Sequence, residues 1–315
     1  MNEPFSVFGA AVAQLVLFVV LAPGVNGVIK RLKAILQGRR GPPVLQPYFD
    51  LAKLLRKDTA VSEHAGPVFR WAPALYAGAL ATAALLVPVL WLPAPLAGWG
   101  DAIALVGLFA LARFVLALAG LDTASAFGGM GSSREVATAA LAEPALLLSV
   151  IVVAWRTGGT DLSGMSAWLI ANGGAALAPS QLLAAAALLI ALIAETGRVP
   201  ADNPDTHLEL TMVHEGMLLE YSGRPLGILL WASLVKQLVL LSLLIAMFLP
   251  FGLAAAPDAV PLAFAVLLTK LGLLALLVSL IESSSAKLRI LKVPELLGAA
   301  SVLAVLALIA EVVVG

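Results

Sequence analysis

GILLWASLVKQLVLLSLLIAMFLP, residues 227–250, carries a single charge, Lys236, in twenty-four positions. A helix rises 1.5 Å per residue, so roughly 20 such residues cross about 30 Å of hydrocarbon, and this stretch reads as a membrane span. Seven more stretches qualify, at approximately 9–29, 72–93, 101–120, 136–156, 175–194, 259–281 and 294–314. The one at 175–194 is strongly apolar only after Pro179 and Ser180. The whole chain agrees: 61% of its 315 residues are apolar, 12% are charged, and mean hydropathy is +1.01. That composition belongs to an integral membrane protein, not a soluble domain. A formal charge of zero gives no reason to expect nucleic acid. Without cysteine there are no disulfides, thiolate zinc sites or cysteine-ligated iron–sulfur or nickel centres, so any redox chemistry belongs to a partner.

Basic residues orient the spans, because Lys and Arg gather on the cytoplasmic side. Segments 30–71, 121–135, 195–226 and 282–293 hold nine, one, two and three of them. Arg156 alone falls in the opposite set, and Arg113, Lys236 and Lys270 lie within spans. The expected topology is eight transmembrane helices with both termini outside. Glu3 stands where a signal peptide would be basic and the first cation is Lys30, which suits an uncleaved first helix. With no repeat or soluble insertion, residues 1–315 are expected to form one membrane domain, its cytoplasmic loops 30–71 and 195–226 making the docking and coupling surface.

In the first of these loops Pro47 opens an amphipathic helix, YFDLAKLLRK. Asp50, Lys53 and Lys57 fall on one face, and Tyr48, Leu51, Ala52 and Leu55 on another. Both an interfacial anchor and a partner-docking surface fit that pattern.

The second loop, AETGRVPADNPDTHLELTMVHEGMLLEYSG at 194–223, concentrates six carboxylates and two of the three histidines. Pro200 and Pro204 break the chain, and Thr206 with Glu209 forms a capping-box pattern for a helix running to about Tyr221. On that helix Glu209, Gly216 and Glu220 share a face, and His207, Thr211, His214 and Leu218 another. Two apolar strips lie between, Leu208, Met212 and Leu219 on one and Leu210, Met217 and Tyr221 on the other. A helix apolar on two sides is packed on two sides, which places it between the membrane bundle and another subunit. Half-buried carboxylates there are suited to exchanging protons near neutral pH. Zinc does not fit, because His207 and His214 stand about 10 Å apart along the axis with no third ligand.

Four ionisable residues lie well inside spans: Arg113, Glu143, Lys236 and Lys270. Each would cost about 2.5–3.5 kcal/mol facing lipid, so they are expected to face the bundle interior. Pro144 frees a backbone carbonyl one turn before it, where water can enter beside Glu143. Glu143 reads either as part of an ion path or as the partner of Arg113 or Lys236. Glu195, where the fifth span meets the acidic loop, connects the two regions.

GRRGPPVLQPYFDLAKLLRKD (38–58), AETGRVPADNP (194–204) and THLELTMVHEGMLLEYSG (206–223), on an eight-span layout, resemble the ND-one-type membrane subunit of complex I. The resemblance covers nearly the whole chain. Complex I members carry an Asn- and Gly-containing insert between the Gly-Pro and Gln-Pro elements, and Pro-Phe-Asp where this chain reads Pro200, Ala201, Asp202. The shorter first loop and DNPDTHLELTMVHE are similar instead to the homologous subunit of group 4 membrane-bound nickel–iron hydrogenases, the formate hydrogenlyase and energy-converting type.

That resemblance implies a non-catalytic subunit of the inner or plasma membrane, joining a peripheral redox arm to a membrane arm. Partners would be the hydrogenase large and small subunits, a ferredoxin-like iron–sulfur subunit and antiporter-like membrane subunits. The nickel–iron centre and iron–sulfur clusters would sit in those partners, with no metal or cofactor in this chain. By matching position, Arg39, Arg40, Gln46, Pro47, Asp50 and Lys53 would dock the arm. Arg198, Asp202, Asp205, His207, Glu209, His214, Glu215 and Glu220, with Glu195, would form the coupling loop, and Glu143, Glu195, Arg113, Lys236 and Lys270 the ion path. The alternatives are the quinone-binding ND-one-type subunit of complex I itself, a purely structural anchor, and a stand-alone transporter, for which the sequence offers no substrate pocket.

Overall fold

A computed structural model describes residues 4–202, 213–254, 259–289 and 292–314. Asp205, His207, Glu209 and the Thr206 cap lie outside the described residues. Ten α-helices are described: α1 (Pro4–Leu36), α2 (Gln46–Arg56), α3 (Pro67–Leu86), α4 (Ala102–Asp122), α5 (Ala126–Thr157), α6 (Leu162–Ala171), α7 (Pro179–Glu195), α8 (Gly223–Phe248), α9 (Val260–Ser284) and α10 (Val293–Val314). Among the described residues seven helices are long and apolar enough to cross a bilayer, namely α1, α3, α4, α5, α8, α9 and α10. α7 has 17 residues, about 25 Å, at the short limit for a span, and α6 is too short.

α8 is buried without interruption from Val235 to Phe248, as a helix apolar all round must be. α3 and α1 pack on it, α2 lies across it, α4 packs between α3 and α5, and α9 runs beside α1. α5, α7 and α10 make a tight trio. Its seam is small: Ala184, Ala187 and Ala191 of α7 and Ala300, Ala304 and Ala307 of α10 are all fully buried, which lets backbones approach closely.

Departures from the sequence reading have local causes. α3 stops at Leu86, not 93, because Pro88 drives Val87 into extended backbone. α5 starts at Ala126, ten residues before the expected span, because its glycine-rich first turns pack on α4, where a Cβ on Gly128 would overlap the Gly120 carbonyl. α2 forms where Pro47 predicts, burying Pro47 and Leu51 and exposing Asp50, Lys53 and Lys57, although Ala52 is exposed and Leu54 takes the inner place. The described part of the acidic loop, 213–221, is not an α-helix: it is a bend followed by a 3-10 turn, Glu215–Leu218. Gly216 weakens helix there and its backbone rests against Gly131 of α5, so tertiary contact overrides the periodicity.

Candidate functional site

A chain of charges runs through the middle of the bundle, centred on Arg113 of α4. Its guanidinium donates to Glu143 of α5 and to both oxygens of Glu195 at the end of α7, and its Nε lies 3.5 Å from Glu135 of α5. Lys236 of α8 meets the other side of Glu195 at 2.7 Å. Arg113, Glu195 and Lys236 are buried, whereas the Glu143 side chain is 34% exposed at the edge of the bundle. Each buried carboxylate is thus paired with a cation, not left to repel its neighbours. Buried ions are tolerated only with such pairing. The group still holds three carboxylates against two cations, Arg113 and Lys236.

Next to it a cavity of about 590 Å³ opens beside α2. One wall is held by Arg198, which donates to Glu282 of α9, to Asn26 of α1 at 2.8 Å and to Gln237 of α8 at 2.8 Å. Lys33 lies 3.2 Å from the second oxygen of Glu282. Asp202, also on the cavity, accepts from Val213 N at 3.2 Å and meets Lys287 at 3.3 Å, which ties two stretches of the acidic loop to each other and to the segment following α9. His214 and Glu215 line the same space, while Glu220 is part-buried beyond the 3-10 turn. Tyr221 stacks on Phe69 with centroids 3.9 Å apart and donates to its carbonyl at 2.8 Å. Burial, then the nearby Asp122 charge, pushes the Tyr221 phenol above its ordinary range.

Of the residues expected from the sequence to dock a partner, Arg39, Arg40, Pro47 and Asp50 rim the cavity, Gln46 donates to Asp50 at 2.8 Å, and Lys53 is exposed on α2. The structure brings Arg113, Glu143, Glu195 and Lys236 together but not Lys270. That lysine sits at the far end of α8, donating to the Leu249 carbonyl at 2.6 Å and to that of Phe251, with the Phe251 ring 4.0 Å away.

Sequence reasoning missed Glu135, because 121–135 read as a loop, and also Tyr76, Ser233, Asn26, Gln237 and Glu282. Tyr76 Oη and Ser233 Oγ are 3.2 Å apart, and Ser233 Oγ is 3.5 Å from His214 Nε2. It missed as well a second ion pair at the carboxyl ends of α5 and α10, where the part-buried Arg156 holds the buried Glu311 at 2.8 Å beside Ser180. A carboxylate within a turn of a span end was the available signal.

Among the described residues no cluster of His, Asp or Glu suits a metal ion. What the arrangement offers chemically is a group of ionisable side chains inside the bundle, with His214 between it and a cavity lined by further charged residues.

Comparison with known proteins follows the same outline. The NADH dehydrogenase family model matches residues 9–314. Formate hydrogenlyase subunit 4 of Escherichia coli (strain K12) is 37% identical over 291 residues, 90% of this chain and 92% of that one. Hydrogenase-4 component C of the same organism is 36% identical, covering 89% and 88%. An NADH-quinone oxidoreductase subunit of Geobacter sulfurreducens is 31% identical over 78% of each chain. A chain of the membrane-bound sulfane sulfur reductase, an archaeal respiratory membrane complex, shares the fold with a TM-score of 0.85 at 22% identity, covering 97% of this chain and 99% of that one.

Proposed function

We propose, from the premise that this chain belongs to the NADH dehydrogenase family, that it is the membrane-anchoring and ion-coupling subunit of a multisubunit hydrogenase complex. It is a multi-pass membrane protein. In this reading α7 is the eighth crossing, both termini lie outside, and the chain acts as one membrane domain in the cell membrane. The cavity side then faces the cytoplasm, where the basic residues of 30–71 gather.

The observation that carries the reading is the Arg113 network, which runs from Lys236 and Glu195 through Arg113 to Glu143 at the bundle edge, one layer of side chains behind the cavity. The surface around Arg39, Arg40, Gln46, Pro47, Asp50 and Lys53 would receive the large and small hydrogenase subunits, with a ferredoxin-like subunit supplying electrons. Nickel–iron and iron–sulfur centres would reside in those partners. Electron transfer there changes the charge beside Arg198, Asp202, His214, Glu215 and Glu220, with Asp205, His207 and Glu209 in the same loop. Protons or sodium ions then move by way of Glu195 and Glu143 toward antiporter-like neighbours. One charge moved across 100 mV corresponds to about 2.3 kcal/mol, within reach of a modest redox drop. Lys270, about 20 Å along α8 from Lys236, would serve the far end of such a path.

Replacing Glu143 by Gln tests this in vesicles reconstituted with the whole complex. The complex should assemble and lose ion movement; unchanged pumping would leave a purely structural anchor.

A second reading draws on the cavity, whose volume lies in the range of small-molecule pockets. It makes the chain the quinone-binding membrane subunit of an NADH-quinone oxidoreductase. Nickel in the gently solubilised native complex would favour the hydrogenase; its absence with quinone-dependent turnover would favour the quinone-binding reading.

A further inference from the structure

One layer of side chains separates the cavity from the buried charges. His214 and Ser233 stand on the cavity, whereas Glu135 and Tyr76 lie behind them. The His214 ring spans the layer, with Nδ1 3.8 Å from Glu135 Oε1 and Nε2 3.5 Å from Ser233 Oγ. The first distance is longer than a hydrogen bond and the second is at the loose limit, so a small turn of the ring closes one contact and opens the other. Ser233 is committed elsewhere, donating to the Leu229 carbonyl at 3.0 Å. Imidazole is the side chain in this layer that binds a proton on one nitrogen while releasing one from the other.

Backbone contacts fix the ring in this place. Gly216 lies against Gly131 of α5 so closely that a Cβ on Gly131 would meet the Gly216 and Met217 backbone below van der Waals distance. On the other side stands Gly197, at φ +59°, where an added Cβ would come into ordinary van der Waals contact with the His214 Cβ. Charge balance favours the same role. Glu135, Glu143 and Glu195 outnumber Arg113 and Lys236 by one, so the ring stands at the edge of a group with one carboxylate in excess.

We infer that His214 is the port through which protons pass between cavity water and the Glu135 carboxylate. This rests on the ion-coupling function proposed above and identifies where that function takes up its protons. A hydronium ion in the cavity gives a proton to Nε2 of the neutral ring; the imidazolium then gives its Nδ1 proton to Glu135. The ring is left neutral with its proton on Nε2, and tautomer exchange through cavity water resets it. One proton enters, one leaves, and no electron moves. The charged groups around the layer are Glu135 of α5 and Lys236 of α8 behind it, and on the cavity Glu215, Arg198, Asp202 and Glu282, with Lys30, Lys33, Arg39, Arg40 and Asp50 also lining that space.

The test uses the intact complex in vesicles and reads ions moved per electron pair for His214→Gln, His214→Ala and Glu143→Gln. His214→Gln and His214→Ala should lower the ratio on the order of tenfold or more. Added imidazole should restore His214→Ala and leave Glu143→Gln unchanged, which a merely structural histidine would not do. A wild-type ratio in His214→Gln, with Glu143→Gln uncoupled, overturns the port and leaves the coupling function standing. A wild-type complex that moves no ions overturns both. Where the His214 variants do not assemble, Glu135→Gln approaches the port from behind, and a wild-type ratio there also overturns it.

Discussion

Lys236 Nζ lies 2.7 Å from Glu195 Oε2, and both side chains are almost wholly withdrawn from the surface. Removing Lys236 leaves Glu195 with Arg113 as its one cation, which it shares with Glu135 and Glu143. Lys236→Met should therefore destabilise the protein by about 3–5 kcal/mol, and Lys236→Met with Glu195→Gln by less than the sum. Thermal unfolding in detergent, followed by tryptophan fluorescence, measures both; an additive pair would mean the two do not interact.

Arg198 holds α1, α8 and α9 together through Asn26, Gln237 and Glu282. Lysine keeps the charge but lacks the planar fork, so Arg198→Lys should lose at least one charge-assisted bond, about 1.5–3 kcal/mol. The same unfolding assay detects it, and an unshifted midpoint would contradict the clamp.

Gly131→Ala should push the 3-10 turn Glu215–Leu218 off α5, because the new methyl has no space against the Gly216 backbone. Overpacking of this kind costs about 1–3 kcal/mol. Limited proteolysis of the segment 213–222 is the sensitive readout: the variant should be cut faster than the parent.

Tyr221 predicts an alkaline limit. Its phenol is held above the ordinary value near 10 in the folded protein. Above pH about 10 the unfolded chain loses this proton while the folded chain keeps it, so stability falls as pH rises, by up to about 1.4 kcal/mol per pH unit. Below that pH the group makes no pH-dependent contribution. Tyr221→Phe should remove this slope and, by losing the bond to the Phe69 carbonyl, cost about 0.5–1.5 kcal/mol at neutral pH. An unchanged alkaline slope in the variant would assign it elsewhere.

The spans were legible because apolar runs of sufficient length have few alternatives, and the rule that lipid rejects charge put Arg113 and Lys236 inside before any contact was known; it put Glu143 inside too, where the structure has it at the bundle edge, paired with Arg113 but 34% exposed. The same rule grouped Lys270 with them. It specifies interior, not depth, and the structure sets Lys270 on the α8 carboxyl end. Glu135 escaped because Gly128, Gly129, Gly131 and the serines after them read as loop; their role as a helix packed on α4 depends on a neighbour that sequence periodicity does not contain. Asn26 and Gln237 escaped for another reason: neutral amides within a span carry no penalty large enough to announce a partner. In the acidic loop one apolar strip was real in part, since Met217 and Tyr221 are buried, by a backbone docked through glycine and without an α-helix, whereas Leu219 of the other strip is exposed.

α8 has a further consequence. Ser233, Lys236 and Gln237 occupy little more than one turn of it, yet the first lies beside the cavity histidine, the second joins the Arg113 group and the third completes the Arg198 clamp. Packed on by α1, α2, α3 and α7, this helix has little slack to rotate for one contact alone. Repacking anywhere along that turn transmits to all three stations at once, so variants selected for altered behaviour at any of them should gather compensating changes on α8's neighbours.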